Sequence, residues 1–289
     1  MVWGDSKSMM NDFAVFIITH DRAERQSSLD CLLRMGYTGQ YWLVVDNEDP
    51  SINRYLDLYP NNILVFNKAD FVENTDIGSR RTEACATFAR NAVECLALKL
   101  GYQFFLVMDD DITDFRFRYD EDDSLKSFKV KTSLDDIFSS YVEFLRTTGV
   151  STVSFGVAKT FIGGVSSLAN DKIAGLRECY TMFFRNNRYR VDWVSAVYED
   201  IITSSLAGKK GQVWLQLPFV QLDTVAMVEN SGGNTSMYKA FQQFEYPFHS
   251  VMYMPGTMSI VYKNNKYLGV ISKKHDVPMI ISNIYQKTS

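Results

Sequence analysis

A run of apolar residues that ends abruptly in three carboxylates most limits what this chain can fold into. Residues 104–108 read Phe-Phe-Leu-Val-Met, and Asp109, Asp110 and Asp111 follow at once. A short unbroken apolar run is typical of a strand buried on both faces, as in a parallel sheet covered by helices. Open α/β folds bind ligands at the carboxyl ends of such strands. The run therefore predicts an α/β fold with an acidic site at one sheet edge.

The three adjacent carboxylates predict a divalent cation. Negative charges so close repel one another unless a cation lies among them, and Mg²⁺ and Mn²⁺ prefer oxygen ligands, often with a substrate diphosphate. Alternate residues of an extended run face opposite sides. Asp109 and Asp111 are therefore the candidate metal ligands, with Asp109 also suited to a ribose, while Asp110 would face a donor sugar. The alternative is an acidic turn without a metal.

Apolar runs and helical patterns alternate through the first 115 residues. This order predicts a parallel, doubly wound, Rossmann-like sheet with helices on both faces. No GxGxxG or GxxxxGK[ST] occurs, so a bound diphosphate would need metal and basic residues instead of a glycine loop. The strands are expected at 13–19, 41–45, 63–66 and 104–109, and the helices at 23–35, after Pro50 and at 79–99.

The second half of the chain has a less regular pattern. We expect a single domain over 1–289, with a nucleotide-binding half over about 12–115 and an acceptor-binding half over about 116–289. The predicted elements of the second half are a helix at 134–147, strands at 150–155, 179–184 and 213–217, a helix that starts after Glu199-Asp200 and stops at Gly208, and short strands and turns from 249.

Polar residues end three of the predicted strands. Right-handed crossovers bring these ends to one side of the sheet, so Thr19, Asp46 and Asp109 are expected to share a site. Asp46 could accept hydrogen bonds from a nucleobase or a ribose. It could equally cap the helix near Pro50.

Arginines near these strand ends are candidates for contacts with phosphate, because a guanidinium matches phosphate oxygens. Arg90 lies on the long predicted helix, and Arg22 follows the first strand, where it could instead cap a helix. Arg80 and Arg81 fit a solvated helix start better.

Glu199 and Asp200 follow an apolar stretch. Either carboxylate could deprotonate an acceptor hydroxyl or cap the helix that follows. His249 or His275 could supply a further metal ligand, although scattered histidines more often have a structural role.

The overall composition excludes several classes of protein. The formal net charge is −4, which does not fit a general polyanion binder. Four separated cysteines without a CxxC pair argue against a zinc site and fit a reducing compartment. Without a signal-peptide pattern or a membrane-length apolar run, we expect a soluble protein. Local basic clusters that could face nucleic acid are Arg185, Arg188 and Arg190, Lys209 and Lys210, and Lys263, Lys266, Lys273 and Lys274.

Several stretches of the chain resemble the TET-associated glycosyltransferases of bacteriophages, relatives of the glucosyltransferase that makes base J in kinetoplastids. The acidic triplet and the Glu-Asp pair are common among GT-A glycosyltransferases, whereas the combination with SGGNTSMY and SVMYMP is more specific. The family's paired histidine before the last segment is absent here, so no histidine ligand is carried over. The matching stretches are FLVMDDDITDFRFRYD (105–120), VYEDIITSSLAGKKG (197–211), ENSGGNTSMY (229–238), FHSVMYMP (248–255) and DVPMIIS (276–282).

The resemblance implies a GT-A fold and transfer of a sugar from a nucleotide sugar, UDP-linked, to 5-hydroxymethylpyrimidines in phage DNA, in the cytoplasm of the infected host cell. The cofactor would be Mn²⁺ or Mg²⁺. The alternatives are a glycan, lipid or protein acceptor, or a catalytically dead relative that binds nucleic acid. The assignments are Asp109 and Asp111 for the metal, Thr19, Arg22, Asp46, Arg90, Asp109 and Asp110 for the donor, and Asp200, with Glu199 second, for the base.

Overall fold

The computed structural model describes residues 11–73, 75–76, 85–118, 125–163, 181–225, 245–256, 258–263 and 266–271. In these ranges, no helix is both long and apolar enough to cross a membrane.

The first part of the chain alternates strands and helices as predicted. The elements are β1 (Phe13–Ile18), α1 (Ser27–Arg34), β2 (Tyr41–Asp46), α2 (Ile52–Leu58), β3 (Ile63–Phe66), a 3-10 turn (Lys68–Phe71), α3 (Ala86–Lys99) and β4 (Phe104–Asp109). The four strands pair in parallel in the order β3-β2-β1-β4, so their carboxyl ends lie at one edge of the sheet.

The second part extends this sheet with mainly antiparallel pairs. The elements are β5 (Ile112–Phe117), β6 (Phe128–Lys129), α4 (Leu134–Thr148), β7 (Thr152–Val157), β8 (Met182–Asn186), α5 (Glu199–Lys209), β9 (Trp214–Thr224), α6 (Glu245–Tyr253), β10 (Met258–Lys263) and β11 (Lys266–Ile271). The strands of the extended sheet follow the order β3-β2-β1-β4-β8-β7-β9-β5-β6, and β10 and β11 form a separate hairpin.

Both faces of the sheet are buried under helices. Along β1, Phe13 and Val15 pack with residues of α1 and α4, whereas Ala14 and Phe16 pack with residues of α3. Because successive side chains of a strand point to opposite faces, an unbroken apolar strand supplies both cores. This arrangement confirms the predicted α/β class with helices on both faces.

Several predicted boundaries were wrong. Helix α1 begins at Ser27 instead of residue 23, and residues 79–84 of the predicted long helix lie outside the described residues. Gly208 does not stop α5, which ends at Lys209 before Gly211 at φ +80°. Helix α6, which ends at Tyr253, was not predicted, whereas the short strands expected after residue 249 are present as β10 and β11.

Strand β5 was not predicted. Its sequence, Ile-Thr-Asp-Phe-Arg-Phe, mixes charged and apolar residues because only one side chain in three is buried. The strand starts directly after the acidic triplet. Asp109, the last residue of β4, and the two turn residues Asp110 and Asp111 therefore form an acidic turn between β4 and β5.

Candidate functional site

The backbone of the acidic turn is held from two sides. Ser28, near the start of α1, donates from Oγ to the Asp109 carbonyl at 2.6 Å and accepts from the Ile112 N–H at 2.9 Å. The N–H of Val225, just after β9, donates to the Asp111 carbonyl at 2.9 Å. These bonds fix where the three carboxylates point.

Asp110 points toward α1 and α2. Its Oδ2 accepts a hydrogen bond from Thr19 at 2.6 Å, and its Oδ1 pairs with the Arg22 guanidinium. Thr19 also bonds the Tyr55 hydroxyl at 2.8 Å. Burial raises the pKa of Asp110, although Arg22 and Thr19 oppose the rise. These contacts favour an anchoring role for Asp110, Thr19 and Arg22, and their contacts with a donor stay predictions.

Asp109 points to the opposite face, toward α3. Arg90 is 97 % buried and reaches two carboxylates, with Nη1 2.8 Å from Glu199 Oε1 and Nη2 3.5 Å from Asp109 Oδ1. Its guanidinium also lies 4.9 Å from the centre of the Trp193 ring. Arg90 therefore links the acidic turn to the first turn of α5.

Helix α3 also holds the segment that leads into α5. The Thr87 hydroxyl donates to the Ser195 carbonyl at 2.6 Å. Asn91 makes two bonds with the backbone of Trp193, donating at 2.7 Å and accepting at 2.9 Å. Thr87 and Asn91 lie four residues apart on one helix face, and that spacing is the signal that could have revealed them.

Tyr198, immediately before Glu199, has φ +52°. This left-handed conformation is unfavourable for a bulky residue and persists only where the surroundings enforce it. Such strain is typical of functional sites, and here it sets the direction in which α5 starts with Glu199 and Asp200, both buried.

The electrostatics of the turn favour a cation. Burial, together with the charges of Asp111 and Asp110, raises the pKa of Asp109 to about 8, although Arg90 opposes the rise. Burial and the charge of Asp110 raise the pKa of Asp111 to about 6. Burial lowers the pKa of Arg90, but Glu199, Asp109 and Asp200 outweigh it and raise that pKa.

The sequence profile of the TET-Associated Glycosyltransferase family matches residues 13–233, which is more than half of the chain. The chain belongs to this family. It is therefore a glycosyltransferase, and family membership together with the mixed sheet confirms the predicted GT-A-like fold class. No curated protein matches the sequence.

Solved structures resemble the chain in fold alone. A mycobacterial protein aligns with a TM-score of 0.50 and 10% identity, over 94% of this chain and 88% of that one. Glucosyl-3-phosphoglycerate synthase from Mycobacterium tuberculosis, solved with Mg²⁺ and UDP, aligns with a TM-score of 0.48 and 9% identity, over 94% of this chain and 92% of that one. S. aureus TarS, solved with UDP-GlcNAc, aligns with a TM-score of 0.44 and 14% identity, over 84% of this chain and 66% of that one.

The acidic turn of this glycosyltransferase suits a hard divalent cation. Asp109 and Asp111 offer carboxylate oxygens, the ligands that Mg²⁺ and Mn²⁺ prefer. Burial, and after it the charges of neighbouring carboxylates, raises the pKa of both groups, and a bound cation would favour their ionised form. The residues present therefore fit the predicted metal, and its binding by Asp109 and Asp111 stays a prediction.

A second group of possible ligands is His20, Asp46 and Asp49, the one such group among the residues that the structure describes. His20 Nδ1 lies 2.9 Å from Asp46 Oδ2 and 3.3 Å from Asp49 Oδ2. Backbone N–H groups donate to Asp46 Oδ1 and to both oxygens of Asp49. These hydrogen bonds account for the group without a metal.

The same hydrogen bonds argue against the alternative role of Asp46 as a cap of the helix near Pro50. It does not cap α2, whose N-cap is Ser51, but accepts from His20 and from the Glu48 N–H. The hydrogen bond that His20 donates to Asp46 raises the pKa of His20 against the effect of burial. Asp46 ends β2 beside His20, so its predicted contact with a nucleobase or ribose stays compatible with its position.

Other residues that the sequence pattern singled out have different surroundings. His249 Nδ1 lies 3.1 Å from Asp76 Oδ2, so a hydrogen bond already occupies one ring nitrogen. Arg185 is fully buried and pairs with Glu94 at 2.9 Å, which corrects its assignment to a surface that faces nucleic acid. Arg80, Arg81, His275 and the stretch 229–238 lie outside the described residues.

We expect Arg90→Met to lower the free energy of unfolding by about 3–5 kcal/mol, because removing one partner of a buried ion pair leaves the others uncompensated. Methionine keeps most of the side-chain volume. Urea denaturation measures the change, and Arg146→Met, at a partly exposed pair with Asp12, is the matched control with about 0–1 kcal/mol expected. Equal losses in both variants would contradict a central role for Arg90.

Proposed function

We propose that this glycosyltransferase transfers a sugar from a nucleotide sugar, UDP-linked, to 5-hydroxymethylpyrimidine bases in phage DNA, with Mn²⁺ or Mg²⁺ as cofactor. The observation that carries the proposal is the bridge through Arg90, which joins the acidic turn at the carboxyl edge of the sheet to the Glu199-Asp200 turn of α5. Residues suited to a diphosphate and residues suited to a hydroxyl acceptor thereby lie on neighbouring elements.

The leaving group of this reaction is a nucleoside diphosphate. A divalent cation held by Asp109 and Asp111 would neutralise the charge that develops on it. In this proposal Asp46 hydrogen-bonds the nucleobase or ribose, while Thr19, Arg22 and Asp110 shape the floor of the donor site. The donor half then comprises residues of about 12–115, and the remainder contributes the acceptor side.

Asp200 is the proposed base. Glu199 is committed to the ion pair with Arg90 at 2.8 Å, which leaves Asp200 as the carboxylate that takes the proton from the acceptor hydroxyl. The hydroxyl oxygen forms a bond to the anomeric carbon as the bond to the diphosphate oxygen breaks. This assignment applies to direct displacement with inversion of configuration.

A base in duplex DNA must leave the stack for its hydroxymethyl group to reach a cleft. Helix α6 supports an acceptor surface, since Met254, just after it, packs with Ile201 and Ile202 of α5 while Phe248 and Met252 are exposed. The net charge of −4 implies few phosphate contacts, and therefore an affinity for DNA that depends only modestly on salt.

Mass spectrometry of nucleosides tests the proposal. The protein, Mn²⁺ and a panel of nucleotide sugars are incubated with DNA that contains 5-hydroxymethylcytosine or 5-hydroxymethyluracil. We expect one nucleoside to gain the mass of a sugar. Release of nucleoside diphosphate with unmodified DNA would move the acceptor to a glycan, lipid or protein. No turnover of any donor would favour the dead, nucleic-acid-binding relative.

Metal affinity is expected to depend on pH. Below about pH 8 the Asp109 carboxyl holds a proton that a cation must displace, whereas Asp111 is ionised above about pH 6. Loss of one proton on binding implies that the affinity for Mn²⁺ rises about tenfold per pH unit between these values and then levels off. Calorimetric titrations in buffers of different ionisation enthalpy measure both the affinity for Mn²⁺ and the number of protons released on binding. An affinity independent of pH would contradict this site.

A further inference from the structure

Helix α6 has an apolar face that is exposed. Phe248 and Met252, which are one helical turn apart, are 49% and 80% exposed, whereas Ser250 and Met254 are buried. Tyr262, near the end of β10, is also exposed. Scattered single apolar residues are common on protein surfaces, but a group of them marks a binding site for a partner. The group therefore indicates a docking surface.

The hairpin of β10 and β11 continues the apolar face of α6. Helix α6 contacts both strands of the hairpin, and Met258, the first residue of β10, packs in one cluster with Met254. Because alternate side chains of a strand share a face, Tyr262 lies on the same face of the hairpin as Met258, the face toward α6. Its exposure places Tyr262 beyond the part of the hairpin that the helix covers. The helix face and the end of the hairpin thus form one surface.

Positive charge is concentrated in this part of the chain. Residues 246–289 contain five lysines and one acidic residue, Asp276, although the whole chain has a formal net charge of −4. At the end of the hairpin the strand register pairs Lys263 with Lys266. Like charges at directly opposite positions destabilise a sheet, so this pair indicates an anionic partner. Lysines interleaved with aromatic residues are typical of a surface that binds nucleic acid.

The start of α6 lies next to the candidate base. His249 Nδ1 is 3.1 Å from Asp76 Oδ2, and the Tyr253 hydroxyl donates to the same oxygen at 3.1 Å. The other oxygen of Asp76 accepts from the Ala196 N–H at 3.0 Å, in the segment that leads into the Glu199-Asp200 turn. Asp76 therefore joins α6 to the start of α5, and the docking surface borders the candidate site.

We propose that the outward face of α6 and the end of the β10–β11 hairpin form the surface that docks the DNA acceptor. An unstacked base lies against Phe248, and the lysine pair 263 and 266 attracts the phosphates. The inference rests on the proposed function, because it takes DNA to be the acceptor. A base that leaves the duplex leaves its neighbours partly unstacked, and bases stack on aromatic rings with little dependence on sequence.

Fluorescence anisotropy with a labelled oligonucleotide that contains 5-hydroxymethylcytosine or 5-hydroxymethyluracil tests the apolar face. Phe248→Ala should weaken binding about tenfold, the effect of losing one stacked base. Phe128→Ala is the matched control, because Phe128 lies on the edge strand β6 and is 44% exposed. That variant should stay within about twofold of the wild-type affinity.

The salt dependence of DNA binding tests the lysine pair. Lys263→Glu combined with Lys266→Glu should weaken binding about tenfold or more at low salt. It should also lower the slope of log Kd against log salt concentration by about 1–2, since each lysine accounts for about one phosphate contact. Lys129→Glu combined with Lys131→Glu makes the same change in net charge beside β6 and should keep the wild-type slope. Calorimetry with UDP, unchanged in every variant, confirms a folded donor half.

Each contrary result has a distinct meaning. Equal losses in the β6 variants, or none in the α6 and hairpin variants, would overturn the inference, while sugar transfer to DNA by the wild type would keep the proposed function. A wild-type dimer in sedimentation velocity that Phe248→Ala dissociates would assign the apolar face to a second copy of the chain and overturn the inference as well. Failure of the folded wild-type protein to bind or modify any DNA would overturn both.

Discussion

Asp111→Asn is expected to lower the rate of sugar transfer roughly a thousandfold, since a cation that stabilises a leaving diphosphate contributes several kcal/mol. The substitution keeps the size of the side chain and removes one charge from the crowded turn. It should therefore leave the fold intact, or stabilise the protein without metal, while abolishing the effect of Mn²⁺ on UDP binding. Initial rates at saturating donor and a Mn²⁺ titration measure both effects.

Asp114→Asn is the matched control for that experiment. Asp114 lies three residues further along, on β5, with its side chain 34% exposed and near Arg34 and Arg116. The same chemical change there should leave the rate within about twofold. Transfer by Asp111→Asn that still responds to Mn²⁺ as the wild type does would move the metal away from the acidic turn.

Asp200→Asn is expected to lower kcat by about 10²–10⁴, the usual contribution of a general base, with the Kd of UDP unchanged. The reason is that in the proposed mechanism Asp200 would act on the acceptor hydroxyl, whereas the acidic turn would bind the donor. Single-turnover rates with modified DNA measure the loss, and calorimetry with UDP checks the donor site.

Glu199→Gln, in contrast to Asp200→Asn, should lower the stability of the fold and leave kcat largely unchanged. Arg90 would lose the charge of its nearest carboxylate at 2.8 Å, so the free energy of unfolding should fall by about 1–3 kcal/mol. The remaining folded protein should keep most of its kcat. If Glu199→Gln abolishes transfer without loss of stability while Asp200→Asn stays active, the roles of the two carboxylates are exchanged.

The apolar pattern predicted the parallel half of the fold well, because a strand buried on both faces leaves an unbroken local signal. Strands β1 to β4 lie where the runs 13–19, 41–45, 63–66 and 104–109 placed them. The same criterion failed for β5, whose charged residues are paired across the sheet, as Arg116 is with Asp223 at 2.7 Å. A mixed strand of this kind looks like a loop until its partner is known.

The candidate site was predicted in part. Strand alternation correctly put Asp109 and Asp110 on opposite sides, because that geometry is local. The partners of these carboxylates were not predictable, since Arg90 and Glu199 are 109 residues apart in the chain and no spacing rule connects them. The hydrogen bonds from Thr87 and Asn91 to the segment before α5 depend on the same packing.

The sequence by itself determined the α/β class, the acidic turn after a buried strand and membership of a glycosyltransferase family, because each depends on residues close together in the chain or on a family pattern. Only the tertiary structure decided that Arg90 is a bridge between two carboxylates, that Arg185 is buried and paired with Glu94, and that Asp110 pairs with Arg22. These contacts join distant segments, and which segments meet is set by how the helices pack on the two faces of the sheet.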